Sequence, residues 1–123
     1  MRKVCISLLF LTMISSSAIA ANYTDSLLFK VTVWQNGMEN EFEYENPSHY
    51  EWEKGSRVVK GEEAKVIVEK MYNQLRVSSS TKADQIKDSL EQNGFPGLKR
   101  FVVRWMDPKG NLYTWHWKKD ETL

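Results

Sequence analysis

Cysteine is almost absent from this chain: Cys5 is the only one in 123 residues. A disulfide framework, a thiolate metal site and a thiol nucleophile in the body of the protein are thereby excluded. Histidine is nearly as scarce, with His49 and His116 far apart in sequence. No Gly-x-Ser-x-Gly elbow, His-Glu-x-x-His helix or glycine-rich phosphate loop is present, so the usual signatures of hydrolases, zinc peptidases and nucleotide binders are missing. An excess of one charge is also lacking. Setting aside Arg2 and Lys3, 15 basic residues stand against 16 acidic ones, which argues against a nucleic-acid partner.

Long apolar runs are confined to the first twenty residues, MRKVCISLLFLTMISSSAIA. Arg2 and Lys3, the apolar stretch from Val4 to Ile14 and the small residues ending Ala18-Ile19-Ala20 together read as a secretory signal, with cleavage expected after Ala20. The apolar stretch is short for a membrane span, so no integral membrane insertion is expected once the signal is removed. Cys5 lies inside this segment, away from the cleavage point where a lipid anchor would sit. Residues 21–123 are then expected to form a single α+β domain, secreted or periplasmic. A chain of that length can fold on its core alone, burying about 65 % of its unfolded surface. Asn22-Tyr23-Thr24 matches a glycosylation sequon, which matters only in a host that glycosylates.

What remains is rich in alternation. LLFKVTVW is followed by QNGM and ENEFEYE, and Asn36-Gly37 is a strong hairpin signal because a type I′ turn needs positive φ at both central residues. That turn sets Val33 against Asn40, Val31 against Phe42 and Phe29 against Tyr44 on one face. Lys30 against Glu43 and Thr32 against Glu41 fall on the other. A three-residue turn at Asn46-Pro47-Ser48 then places Tyr44 by Tyr50 and Phe42 by Trp52. The opposite face receives Glu45 by His49, Glu43 by Glu51 and Glu41 by Glu53. Both turns assign the same residues to the same faces, which predicts a three-stranded meander over residues 27–54.

From Gly61, Ala64, Ile67, Met71 and Leu75 recur at helical spacing behind Glu62 and Glu63, which suit a helix N-terminus. A second helix is expected from Thr81, capped by Thr81 with Asp84, striped by Ala83, Ile86 and Leu90, and stopped at Asn93-Gly94. The final segments LKRFVVRWM and LYTWHWK flank Asp107-Pro108-Lys109-Gly110. With Pro108, Lys109 and Gly110 as the loop, Trp105 faces Tyr113, Val103 faces Trp115 and Phe101 faces Trp117, all towards the core. Arg104 by Thr114 and Val102 by His116 face away. The order β-β-β-α-α-β-β predicts an α+β fold, an antiparallel sheet of four to five strands with a helical hairpin packed on one face.

Chemistry-bearing residues concentrate on the face away from the helices. His49, Glu51 and Glu53 recur at period two, a donor set suited to a hard or borderline cation, or a docking surface for a basic partner. The plainer reading is a solvated strand face. Arg100, Arg104, His116 and Lys118 share the outer side of the last hairpin, where they can balance the glutamates across the sheet. Trp34, Val102, Met106 and Leu112 project outward among them, and a contiguous apolar patch there would mark a protein contact. Sheet-face glutamates without a cleft give no reason for the split acidities that acid/base catalysis requires. No catalytic activity and no cofactor are expected.

The runs LLFKVTVWQNGMENEFEYE, RVVKGEEAKVIVEKMYNQLRV and LKRFVVRWMDPKGNLYTWHWKK resemble the YusW-like proteins, small exported bacterial domains. The resemblance lies above all in Gly61-Glu62-Glu63-Ala64 and in the aspartate and glycine of the last turn before a basic end. It implies a bacterial envelope location and an α+β domain, and carries no catalytic residue, since the family has no assigned activity. Some similar proteins look like lipoproteins, whereas this chain has no cysteine at the anchoring position. The expected function is therefore an exported module that binds an envelope or extracellular protein through Trp34, Val102, Arg104, Met106, Leu112 and His116. Two other readings stay open: an inhibitor or immunity protein against an envelope hydrolase or toxin, and a cation-binding or metal-dependent small enzyme using His49, Glu51 and Glu53.

Overall fold

The computed structural model describes residues 25–120; the expected signal segment, its cleavage point and the sequon lie outside the described residues. Six strands and two helices follow one another. β1 (Leu28–Gln35), β2 (Met38–Glu45), β3 (His49–Lys54) and β4 (Arg57–Lys60) precede α1 (Glu62–Leu75) and α2 (Ala83–Gln92), and β5 (Arg100–Met106) and β6 (Leu112–Lys118) close the chain. All six strands join one sheet in the order β4-β3-β2-β1-β5-β6, with every neighbouring pair antiparallel. The α+β class with an antiparallel open sheet holds, but the sheet has six strands rather than four to five.

The additional strand has a local cause. Gly55 takes φ +58° and, with Ser56, turns the chain so that Lys54 pairs with Arg57 and Trp52 with Val59. Of the four residues of β4, only Val59 is buried. A strand that presents a single apolar side chain to the core has no alternating pattern to betray it.

The other three hairpins have the expected registers. Asn36 (φ +53°) and Gly37 (φ +71°) supply the two positive angles of the first turn, and Val31 pairs with Phe42, Phe29 with Tyr44 and Lys30 with Glu43. Tyr44 pairs with Tyr50 and Glu43 with Glu51 beyond the second turn. In the last hairpin Asp107 Oδ1 accepts from the Lys109 and Asn111 backbone N–H groups at 2.9 Å each, closing the loop. Trp105 thereby pairs with Tyr113, Val103 with Trp115 and Phe101 with Trp117.

The two helices cross from the β4 edge back over one face, so β5 enters beside β1 and makes β1 central. Phe29, Val31, Val33, Phe101 and Val103 are fully buried beneath them. α1 adds Ala64, Val68, Met71, Tyr72 and Leu75, and α2 adds Ile86 and Leu90. Ile67 packs at the margin, and Tyr72 meets Phe29 edge-to-face at 5.0 Å. At one end of the core the Trp105 indole donates to Ser26 Oγ at 2.8 Å, so the polar tip of a buried ring is satisfied.

Two local expectations change. α2 begins at Ala83, and Thr81 does not cap it with Asp84: Thr81 Oγ1 accepts from the Ser78 N–H at 2.8 Å, while Gln85 Oε1 accepts from the Lys82 N–H at 2.9 Å. Trp115 and Trp117 point to the helices as expected but remain half-buried, because β6 is an edge strand with α2 over only part of it. Trp115 Nε1 donates to the Thr81 carbonyl at 2.9 Å, and Lys87 Nζ sits 4.9 Å from the Trp117 ring centre. Among the described residues no helix is long and apolar enough to cross a membrane.

Candidate binding face

Because both helices lie on one side, the other side of the sheet is bare among the described residues, and strand pairing arranges its side chains in transverse rows. One row reads Lys60, Glu51, Glu43, Lys30, Arg104 and Thr114 from β4 to β6. The next reads Val58, Glu53, Glu41, Thr32, Val102 and His116. Beyond it Glu39, Trp34, Arg100 and Lys118 align, and at the opposite end His49, Glu45, Leu28, Met106 and Leu112 align.

The face is electrically polarised across β1. Glu39, Glu41, Glu43 and Glu45 of β2 and Glu51 and Glu53 of β3 lie on one side; Arg100, Arg104, His116 and Lys118 of β5 and β6 lie on the other. The strand order keeps these halves apart, with β1 between them. Lys30 of β1 bonds to the acidic half, 3.0 Å from Glu41 and 3.5 Å from Glu43. Its pKa is raised, foremost by the hydrogen bond to Glu41.

Crowding of carboxylates shows in the adjacent pair. The hydrogen bond between Glu51 and Glu53 raises the pKa of Glu53 and lowers that of Glu51, so Glu53 is the member that holds a proton more readily. His49 Nε2 stands 3.4 Å from both Glu43 Oε1 and Glu51 Oε2, contacts that become ion pairs when the imidazole is protonated. Potential ligand atoms of Glu43, His49 and Glu51 all lie within 4.8 Å of one another. The structure thus gathers His49 and Glu51 with Glu43, and leaves Glu53 outside that set. His49 and Glu53 are four residues apart on one strand, about 13 Å along it, whereas Glu43 is the direct cross-strand partner of Glu51. The register of the β2–β3 hairpin carried the signal for Glu43.

The outward apolar residues form two groups. Met106 pairs with both Leu28 and Leu112, giving an apolar row that includes Leu28, which sequence reasoning missed; Leu112 is 46 % exposed. Val102 lies two rows away and Trp34, its diagonal neighbour, three, both separated from the first group by the Lys30 and Arg104 row. Arg100 stacks on Trp34, its guanidinium carbon 4.5 Å from the ring centre, so Trp34 is partly shielded and anchors a cation. Arg104 and His116 are exposed on the basic half.

Fold and face together define a two-layer α+β open-faced sandwich with a charge-divided bare sheet. Comparison with protein-family models, with curated proteins and with solved structures found no match to this chain.

Proposed function

We propose that this protein is an exported envelope module that acts by binding another protein through the bare face of its sheet. The observation that supports the reading is the division of that face into an acidic and a basic half around Trp34, Arg100 and the Leu28, Met106 and Leu112 row. A face meant only to be solvated gains nothing from segregating charge, whereas a segregated face steers and orients a partner. The signal-like first twenty residues and the resemblance to YusW-like proteins support the envelope location, and the want of a catalytic constellation supports binding over catalysis.

Crosslinking in the native envelope tests this. The wild-type protein captures a defined partner, and a folded variant with Trp34, Met106 and Leu112 all changed to Ser loses it. Capture unaffected by that variant refutes the face as the binding surface. A second reading, favoured by the Glu43, His49 and Glu51 cluster, is divalent-cation binding. Calorimetry with calcium, zinc and manganese that shows no heat removes it.

A further inference from the structure

Resting on the reading of the bare face as a binding surface, we propose that its partner is a second copy of this chain, docked face to face about a two-fold axis parallel to β1. A two-fold interface brings the same patch of both copies together, so the patch must complement itself. Few faces do; this one is built for it.

The charge pattern selects the axis. Two stacked sheets can be related by an axis along the strands or by one across them. An axis across the strands lays β2 on β2 and sets glutamates against glutamates. An axis along β1 exchanges left and right, laying β2 over the partner's β5 and β3 over the partner's β6. Residues in the same transverse row then meet: Glu39 lies over the copy's Arg100, Glu43 over its Arg104 and Glu53 over its His116. Each contact occurs twice, and each sets opposite charges together when His116 is protonated.

The axis itself runs along the outward side chains of β1. Trp34 meets its own copy at one end and Leu28 at the other, with the small Thr32, 8 % exposed and so already covered by its neighbours, between them. Lys30 also meets its copy, but each ammonium is already engaged by Glu41 at 3.0 Å and Glu43 at 3.5 Å. The paired Trp34 rings, each backed by an Arg100 guanidinium at 4.5 Å, form the apolar anchor that such an interface needs.

Five strands of each sheet overlap in this arrangement. At the usual strand spacing and rise they cover about 24 Å by about 23 Å, roughly 550 Å² per copy before side-chain relief. That lies at the small end of specific interfaces, so the dimer is weak and its polar contacts are partly hydrated. It also dissociates in salt, since attraction between such charges is cut as the screening length falls from about 30 Å at 0.01 M to about 3 Å at 1 M.

Sedimentation equilibrium of the purified protein is the test. The wild type is expected to be a concentration-dependent dimer at about 0.01 M salt and a monomer at about 1 M. Glu39→Arg with Glu43→Arg sets arginine over arginine at two of the three kinds of contact; Arg100→Glu with Arg104→Glu sets glutamate over glutamate at the same two. Each variant alone is expected to lose about tenfold or more in self-association, and an equimolar mixture is expected to recover it as a heterodimer. A wild type that stays monomeric at sub-millimolar concentration in low salt overturns the self-pairing without needing any variant to fold. So does a dimer indifferent to salt and to both charge reversals. Self-pairing falls alone if the envelope crosslink still captures a different protein through the same face; both readings fall if neither contact depends on it.

Discussion

Lys30→Met tests whether the acidic half of the sheet is held together by the ammonium that bridges Glu41 and Glu43. Methionine keeps most of the aliphatic stem and removes only the charge, so lost packing is a minor part of the effect. Lys30 lies 3.0 Å from Glu41 and 3.5 Å from Glu43, with about a third of its side chain exposed and about a fifth of each glutamate's. Exposed pairs contribute roughly 0.2–1 kcal/mol each, and Glu41 and Glu43 face Glu53 and Glu51 across the strands, so removing the cation also uncovers two like-charge pairs. The sum of these is a loss of about 1–2 kcal/mol at neutral pH, or about 5–10 °C in melting temperature for a domain of this size. The raised pKa of Lys30 gives the pH window: its contribution is fully present below the unfolded value of 10.5 and is lost as pH rises through the higher folded value. At the acid end the loss shrinks again as the glutamates protonate. Urea denaturation at pH 7 measures it directly, repeated at about 1 M salt to screen the pairs. A Lys30→Met/Glu43→Gln double variant recovers part of the loss. If Lys30→Met costs less than about 0.3 kcal/mol, or the same at high salt, the face is an ordinary solvated surface and Lys30 does not hold it.

Two further substitutions probe the same sheet. Glu53→Gln keeps a hydrogen-bonding side chain beside Glu51 while removing the charge; since the Glu53 pKa is raised in the fold, the wild type loses stability as pH rises through that value, and the variant gains a few tenths of a kcal/mol over it above that pH and nothing below. Thermal melts from pH 3 to 8 that run parallel for the two proteins count against the shared proton. Trp52→Phe removes an indole N–H that is shut away from solvent without an acceptor, while retaining an aromatic ring against Phe42, 6.5 Å away. An unpaired buried donor costs about 1–3 kcal/mol, which offsets the smaller ring's lost contacts, so the variant unfolds within about 1 kcal/mol of wild type. A loss above about 2 kcal/mol in urea means that the N–H has an acceptor after all.

How far the sequence reveals this face depends on how each piece is encoded. Turn chemistry is local, so Asn36-Gly37, Asn46-Pro47-Ser48 and Asp107 through Gly110 gave three registers that the structure repeats pair for pair. Those registers also sorted outward residues from inward ones along five strands, which is why Trp115 was separable from His116. Strand order is not local. Nothing in the residues of β5 says that it lies beside β1, and only that neighbourhood turns two charged hairpins into one divided face instead of two surfaces. The same step decides the fate of the apolar residues: Leu28 joins Met106 and Leu112 because β1 pairs with β5, and the Lys30 and Arg104 row parts them from Trp34 and Val102. β4 escaped because its turn is formed by Gly55-Ser56 and its core share is Val59 alone. Glu43 was missed as a companion of His49 and Glu51 for a different reason: period-two reasoning followed one strand, while ligand atoms converge across two. In an antiparallel sheet a residue's nearest chemistry is often on its neighbour strand, about 5 Å away, and not two positions along its own, about 7 Å away. Candidate sites on sheet faces are therefore better sought in the paired register than in the strand pattern.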